Sequence, residues 1–339
     1  MEMEISIQNE INQIKMRKPH VVILGAGASR AALPNGDKYS QRIPLMDNFV
    51  EILELGDLLH DSHINFKSDN FEDIYSKLYK NKEHDKLRSK LEERIYTYFK
   101  QMQITDNPTI YDHLLLSLRD KDIVATFNWD PFLIQTYQRN ASRFMLPRLL
   151  FLHGNVEAGY CEKDRIAGIN GNICSRCGEA LKPTKLLYPI NKKDYHVDRF
   201  IGLQWKELQY NLRNAFMITI FGYSAPKSDV SAIELMKLAW GEIESREMEQ
   251  TEIIDIKSED TLYNTWKPFM HTHHYDVHRS FYESWIANHP RRTGEAYINQ
   301  YFYTKFINNN PIPKDLSFSE LWKWLEPLQD VEKQRENDK

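Results

Sequence analysis

The sequence has few cysteines, no long apolar run and no surplus of basic residues. Its three cysteines, Cys161, Cys174 and Cys177, lie within one short stretch. Three is the wrong number for a disulfide framework, and their clustering indicates a metal site instead. No run approaches the roughly 20 apolar residues that span a bilayer, and the N-terminal MEMEISIQNEINQIKMRK is too acidic and polar for a signal peptide. We therefore expect a cytoplasmic protein without a membrane segment.

The charge balance is not that of a dedicated nucleic-acid binder. The formal net charge of -4 lacks the basic excess by which such proteins attract phosphate groups. We therefore expect no direct nucleic-acid binding. Of the 339 residues 41% are hydrophobic and 12% aromatic, enough for a sizeable core. The length suits one large α/β domain, or one domain that carries an embedded small one.

Short apolar runs separated by helical patterns predict a parallel sheet. The runs are VVILG at 21–25, IVATF at 123–127, LLFLH at 149–153, FMITIF at 216–221 and EIIDI at 252–256. Helical spacing dominates residues 45–120, and another helix is expected near 229–244. Such alternation favours an α/β fold with a Rossmann-like, doubly wound parallel sheet. The strand order does not follow from the sequence.

Two segments differ in texture from this alternating pattern. Residues 157–182 are rich in Gly, Cys and charge and predict a small inserted, zinc-ribbon-like module. The chain from 279 onward is helical and aromatic. We therefore expect a nucleotide-binding domain over residues 15–290, with 157–182 as its insertion, and a helical C-terminal extension over 291–339.

A small-residue turn, Gly25-Ala26-Gly27-Ala28-Ser29, directly follows the first strand. The pyrophosphate of a dinucleotide needs backbone N–H donors at a helix N-terminus and residues small enough for close approach. Arg30 stands where the third glycine of the G-x-G-x-x-G pattern would be. A merely tight strand-to-helix turn is an equal interpretation.

Polar residues also follow the other strands. Asn128 and Asp130, two residues apart after IVATF, should both face the crevice beyond the strand ends, where ligands bind in doubly wound sheets. Asp130 could also cap the next helix, which has Pro131 at its start. His153, after LLFLH, is placed for proton transfer, although a lone histidine is more often structural.

Two further strand ends supply weaker candidates for ligand binding. Gly222 and Ser224 follow FMITIF, and Asp229 should open the next helix. Asp255 in EIIDI could accept hydrogen bonds from ribose hydroxyls. An ordinary loop aspartate explains Asp255 equally well.

The cysteine stretch matches the geometry that zinc requires. Cys174 and Cys177 form a C-x₂-C knuckle, and Cys161 with Asp164 offers the other pair of a closed four-ligand site. A histidine elsewhere could be the fourth ligand, or the module could have lost its ion. The histidines at 271, 273, 274 and 278 favour a packed segment over a metal site, although His274 and His278 would share a helical face. Arg291 and Arg292 could meet a phosphate, but a solvated loop pair is the default.

The order of these blocks resembles the sirtuin family and its bacterial SIR2-like relatives, over roughly residues 19–260. The resemblance implies that Gly25 to Ser29 hold the pyrophosphate of NAD⁺, that Asn128 and Asp130 contact nicotinamide and its ribose, and that His153 is the base. It also implies a zinc ribbon over the stretch from Cys161 to Cys177.

Departures from the protein-deacylating sirtuins indicate a subgroup. Those enzymes carry Pro-Asp-Phe-Arg after the glycine turn, whereas this chain reads AALPNGDKYS, and Phe127 and Trp129 flank Asn128 in place of the usual Gln-Asn-Ile-Asp context. Together with GYSAPKSD, these changes resemble SIR2-like NAD⁺ hydrolases of bacterial anti-phage systems. The expected activity is NAD⁺ glycohydrolysis. A protein deacylase and a non-catalytic sensor of NAD⁺ or ADP-ribose are the alternatives.

Unrestricted NAD⁺ cleavage would kill the cell, so we expect restraint by assembly. The resemblance implies a homo-oligomer, or a complex with a regulatory partner such as a HerA-like ATPase or another sensor subunit. The tail supplies many aromatic groups, which suit either an interface or a layer that covers one face of the sheet: Tyr301, Phe302, Tyr303, Phe306, Trp322 and Trp324.

Overall fold

The structure, a computed structural model, describes residues 4–337 except 61, 63, 65, 67, 191, 192, 194, 196 and 197. Its strands are β1 (Glu4–Ile5), β2 (His20–Leu24), β3 (Ile123–Thr126), β4 (Arg148–Phe151), β5 (Ala158–Cys161), β6 (Ile166–Ile169), β7 (Lys182–Pro183), β8 (Met217–Phe221), β9 (Gln250–Ile254), β10 (Tyr275–His278) and β11 (Phe306–Ile307).

The helices surround the strands and vary widely in length. They are α1 (Ile7–Ile11), α2 (Ala26–Ala32), α3 (Phe49–Ile52), α4 (Gly56–His60), α5 (Phe71–Tyr79), α6 (Asp85–Lys100), α7 (Ile110–Leu116), α8 (Phe132–Asn140), α9 (Arg199–Asn214), α10 (Val230–Trp240), α11 (Glu259–Trp266), α12 (Trp285–Asn288), α13 (Thr293–Tyr301) and α14 (Phe318–Asn337).

The central sheet has six parallel strands in the order β10-β9-β8-β2-β3-β4. Every residue of β2, β3, β8 and β9 is buried, because helices cover both faces of a parallel sheet. The chain runs outward from β2 to β4, returns to β8 beside β2, and then runs to the other edge. The fold class predicted from the apolar runs is confirmed. The strand order reverses between β2 and β8, which is the position at which open α/β sheets usually bind ligands.

The far edge of the sheet differs from the sequence expectation. EIIDI is the last apolar run that predicts a strand, but β10 lies beyond β9 in parallel register, with Val277 opposite Ile253. His278 is therefore on a strand, and the prediction that His274 and His278 share a helical face is wrong. The segment carries four consecutive half-buried residues, and such a short strand lacks the alternation that identifies an edge strand from sequence.

The predicted insertion forms a separate three-stranded antiparallel sheet in the order β6-β5-β7. Cys161 ends β5, and Cys174 and Cys177 follow β6. Cys161, Cys174 and Leu181 form a small buried cluster of their own in this module, whereas Ala158 and Tyr160 of β5 pack into the main core. So little apolar burial is typical of modules that depend on a bound metal for stability.

The C-terminal helix is fastened to the domain by a buried ion-pair cluster. Arg291 and Arg292 are 2% and 0% exposed, so the expectation of a solvated pair is wrong. Both guanidinium groups donate to Glu332 of α14, at 2.6 Å, and Arg291 also donates to the carbonyls of Leu116 and Leu118. Two buried arginines need such a carboxylate partner. The sequence does not indicate this partner, because Glu332 lies about forty residues further along the chain.

The aromatic tail divides into two parts. In α14, Leu321, Leu325 and Leu328 are buried in the main core, and Trp322 donates to Asn140 at 2.8 Å. In contrast Tyr303 and Phe306, around β11, are 65% and 55% exposed. Helix α14 thus covers one face of the domain.

No helix of the described residues is long and apolar enough to cross a membrane.

Candidate functional site

The loops after β2 and β8 touch each other at the point where strand order reverses. The Gly25 amide donates to Phe221 O and the Gly27 amide to Gly222 O, both at 3.0 Å. A Cβ on Gly25 would lie 2.5 Å from Gly222 O, and Gly222, at φ +59°, would place a Cβ 2.2 Å from the amide nitrogen of Ala28. Close backbone approach therefore requires these glycines, whether or not a ligand binds.

The small residues after Gly25 begin helix α2, which carries Ser29 into the interior. Ala26 and Gly27 are partly exposed, whereas Ala28 and Ser29 are buried. The Ser29 hydroxyl donates to Asp130 Oδ2 at 2.7 Å and lies 2.7 Å from the Tyr111 hydroxyl. Because the Ser29 proton points to the carboxylate, the Tyr111 proton points to Ser29.

Asn128 joins this group from the end of β3. Its Nδ2 donates to Gly25 O at 2.8 Å and to Ser29 Oγ at 2.9 Å. The carboxyl ends of β2 and β3 are adjacent in the parallel register, so the two loops meet. Ser29, Tyr111, Asn128 and Asp130 form one buried hydrogen-bonded group, which we call the Asn128 cluster.

Both the side chain and the backbone carbonyl of Asp130 accept hydrogen bonds. Its Oδ1 accepts from the amide of Phe132, the first residue of α8, at 3.3 Å, and the Asn155 side chain donates to its carbonyl at 2.6 Å. The N-cap residue of α8 is Pro131 and not Asp130, so the predicted cap is displaced by one residue. The placement of Asp130 in a ligand-binding crevice stays a prediction. Burial raises the pKa of Asp130 to about 6, against the opposing hydrogen bond from Ser29.

His153 lies one strand further along the same edge, after β4. It is 5% exposed, and its ring meets the Phe127 ring edge-on at 4.8 Å. Burial, and then the positive charge of Lys193, lowers the pKa of His153 to about 3, while Asp229 opposes that change. His153 is consequently a neutral imidazole at physiological pH, with a free lone pair on one ring nitrogen.

Three residues beside His153 were not predicted as members of the site. Lys193 contacts Asp229 Oδ1, Tyr223 donates to Asp229 Oδ2 at 2.9 Å, and the Tyr195 hydroxyl is 3.5 Å from His153 Nε2. The Tyr223 ring stacks on Phe127 at 4.1 Å and so links this group to the Asn128 cluster. Asp229 was expected to open a helix, which it does before α10; nothing in the sequence marks Lys193 or Tyr195.

Two of the candidates lie apart from the Asn128 cluster. Ser224 is exposed. Asp255, partly exposed, accepts from the Lys257 amide at 3.0 Å. Both follow strands of the central sheet at its carboxyl edge. Within the described part of the chain, neither side chain is hydrogen-bonded to Asn128, Asp130 or His153.

The four predicted metal ligands converge in the inserted module. The ligand atoms of Cys161, Asp164, Cys174 and Cys177 all lie within 4.8 Å of one another. Cys161 Sγ is 3.6 Å from Cys177 Sγ, and Cys174 Sγ is 3.3 Å from Asp164 Oδ2. Four tetrahedral ligands at the usual Zn–S length of about 2.3 Å stand roughly 3.8 Å apart. The donor set and its spacing therefore fit a structural zinc ion, with Asp164 as the fourth ligand.

Comparison with known proteins gives matches in structure alone. No protein-family model matches the chain, and no curated protein matches its sequence. A complex of a SIR2 homolog with NAD is 13% identical at a TM-score of 0.40, with 88% of this chain and 92% of that chain covered. A complex of a mutant Sir2 homologue with ADP ribose is 10% identical at a TM-score of 0.42, with 96% of this chain and 97% of that chain covered. A Sir2–p53 peptide–NAD⁺ complex is 14% identical at a TM-score of 0.35, with 75% of this chain and 88% of that chain covered.

Proposed function

We propose that this chain is an NAD⁺ glycohydrolase, which cleaves NAD⁺ to nicotinamide and ADP-ribose. The observation that carries the proposal is the Asn128 cluster. Asn128 and Asp130 are brought together with Ser29 at the carboxyl ends of β2 and β3, and the neutral His153 packs against Phe127, the residue before Asn128. These are the residues that the resemblance to SIR2-like hydrolases singled out.

The reaction needs an oriented ribose, a stabilised cation and one water molecule. When the N-glycosidic bond breaks, its electron pair leaves with nicotinamide and C1′ of the ribose becomes oxocarbenium-like. Water then attacks C1′ and releases one proton. Such chemistry proceeds through positioning and charge complementarity, so NAD⁺ is a substrate here and no electron is transferred.

Each residue of the site has a role that its contacts allow. The Asn128 Nδ2 donates to Gly25 O and to Ser29 Oγ. The Oδ1 atom of the same side chain then accepts a hydrogen bond from the attacking water or from a ribose hydroxyl. Asp130, ionised above about pH 6, stabilises the ribosyl cation. His153 accepts the proton that the water releases. The turn from Gly25 to Ser29 approaches the pyrophosphate, and Gly222, Ser224 and Asp255 lie along the same edge for the remaining nucleotide.

The test is nicotinamide release from NAD⁺ by the purified chain, with and without the products of neighbouring genes. Asn128→Ala and His153→Ala should abolish release, whereas Asn264→Ala, an exposed amide on α11, should retain the wild-type rate. Melting temperatures show whether each variant is folded. Variants of both site residues that hydrolyse NAD⁺ at the wild-type rate would refute the assignment. NAD⁺-dependent removal of the acyl group from an acyl-lysine peptide, with the acyl group passing to ADP-ribose, would instead support a deacylase.

We further propose that the activity serves anti-phage defence in the cytoplasm and is restrained by assembly. A homo-oligomer, or a complex with a HerA-like ATPase or another sensor subunit, would keep NAD⁺ cleavage low until infection. The exposed Tyr303 and Phe306 support a contact surface, because aromatic residues are enriched in interfaces. A fully active 40 kDa monomer in light scattering would contradict this proposal.

A further inference from the structure

A single buried carboxylate lies between a lysine and the candidate base. Asp229 is 3% exposed and precedes α10. Its Oδ2 accepts from the Tyr223 hydroxyl at 2.9 Å. Its Oδ1 contacts Lys193 Nζ and is also 3.9 Å from His153 Nε2. One oxygen atom therefore faces both a cation and the imidazole.

In the structure Lys193, and not His153, makes the close contact with Asp229 Oδ1. A separation of 3.9 Å is beyond hydrogen-bond range, so Asp229 does not yet hold His153 as a carboxylate holds the histidine of a catalytic triad. Lys193 is buried, with a side-chain exposure of 3%, and a buried ammonium requires its carboxylate. His153 and Lys193 thus compete for the same atom.

Other polar groups lie near His153 or near its neighbour Asp229. Tyr195 stacks on the imidazole at 5.9 Å between ring centres and places its hydroxyl 3.5 Å from Nε2. Tyr223 faces it across Asp229. Glu72 of α5 reaches the backbone amide of Ser228 at 2.5 Å. Among these groups Lys193 is the cation, and its charge disfavours a second positive charge on His153.

We propose that Lys193 and His153 compete for the Asp229 carboxylate, so that Asp229 becomes the positioning residue of His153, and His153 accepts a proton, once Lys193 is displaced. The inference deepens the proposed function, since it concerns the base of that reaction. Displacement of Lys193, by substrate or by a partner, would let Asp229 approach His153 Nε2. The imidazole would then be oriented and its protonated form stabilised.

The experiment follows the protonation of His153 directly by NMR of ¹⁵N-histidine-labelled full-length protein, with the His153 signal assigned from the His153→Gln variant. In the wild type the burial and the Lys193 charge, which lower the pKa of His153 to about 3, should keep the ring neutral from about pH 5 upward. In Lys193→Met the burial remains but the opposing carboxylate of Asp229 is no longer shared, so the ring should titrate at a higher pH than in the wild type. Lys206→Met, an exposed lysine on α9, is the matched control.

A double variant separates competition from a general loss of structure. Lys193→Met with Asp229→Asn removes both charges, so the His153 signal should again show a neutral ring at pH 5, while the single Lys193→Met variant titrates. A His153 signal that is unchanged in a folded Lys193→Met protein would overturn the inference, and so would identical titration in the single and double variants.

Nicotinamide release measured on the same proteins keeps the two proposals distinguishable. If His153 titrates as expected but no variant cleaves NAD⁺, the positioning role stands and the proposed function fails. If the wild type cleaves NAD⁺ but Lys193→Met leaves both the His153 signal and the pH profile of kcat unchanged, the function stands and the competition is refuted.

Discussion

The buried carboxylate of Asp130 should make the protein less stable as pH rises, and replacement by asparagine should remove that effect. Asp130 is 4% exposed, and burial raises its pKa from the ordinary 3.8 to about 6. The folded state therefore binds the proton more tightly than the unfolded chain. The free energy of unfolding falls as pH rises between these two values and is level above the folded-state pKa.

The magnitude follows from the same interval. Each pKa unit corresponds to about 1.36 kcal/mol, so the whole interval is worth about 3 kcal/mol, and the part between pH 5 and pH 8 is about 1.4 kcal/mol. Asparagine at this position loses one acceptor, for the Ser29 hydroxyl or the Phe132 amide. That loss costs about 1 kcal/mol at either pH and cancels when the two pH values are compared.

Urea unfolding followed by tryptophan fluorescence measures this comparison. The stability of Asp130→Asn relative to wild type should be about 1.4 kcal/mol more favourable at pH 8 than at pH 5. Ser29→Ala removes the hydrogen bond that lowers the pKa of Asp130, so it should move the pH dependence of stability to higher pH. If Asp130→Asn changes the free energy of unfolding by the same amount at both pH values, the claim that ionisation of Asp130 destabilises the folded protein is refuted.

Four further outcomes are expected. Nicotinamide release should rise with pH through about 6, as Asp130 ionises, and a rate that is level from pH 5 to 8 would exclude Asp130 as the group that stabilises the cation. Metal analysis should find about one zinc per chain; Cys174→Ser should lose both the zinc and stability, and Asp164→Ala should lower zinc content if its carboxylate is the fourth ligand. Glu332→Ala should cost about 3–5 kcal/mol, because it leaves two buried arginines without their carboxylate, whereas the exposed Glu326→Ala should cost little; equal losses would contradict the ion-pair account. Phe306→Ser should disperse any oligomer seen by light scattering without a lower melting temperature, and an intact oligomer would place the interface elsewhere.

Much of the architecture was readable from local patterns. Apolar runs that end in Gly25, Phe127 and His153 mark buried strands. The polar residues at or just after these ends fall at the carboxyl edge, because a parallel sheet aligns its strand ends. The knuckle of Cys174 and Cys177 likewise predicted a convergent ligand set. These signals depend on residue types and spacings within a few positions, so no tertiary information is required.

Contacts between distant segments were decided by the tertiary structure alone. Strand order, β10 as the edge strand and the Arg291–Glu332 pair have no local signature, since parallel pairing and buried ion pairs join residues far apart in the chain. Lys193 looks like an ordinary charged residue, yet folding places it on Asp229, 36 residues later. A lysine is read as solvent-exposed unless a partner is known, and the position of that partner depends on how two loops meet at the sheet edge.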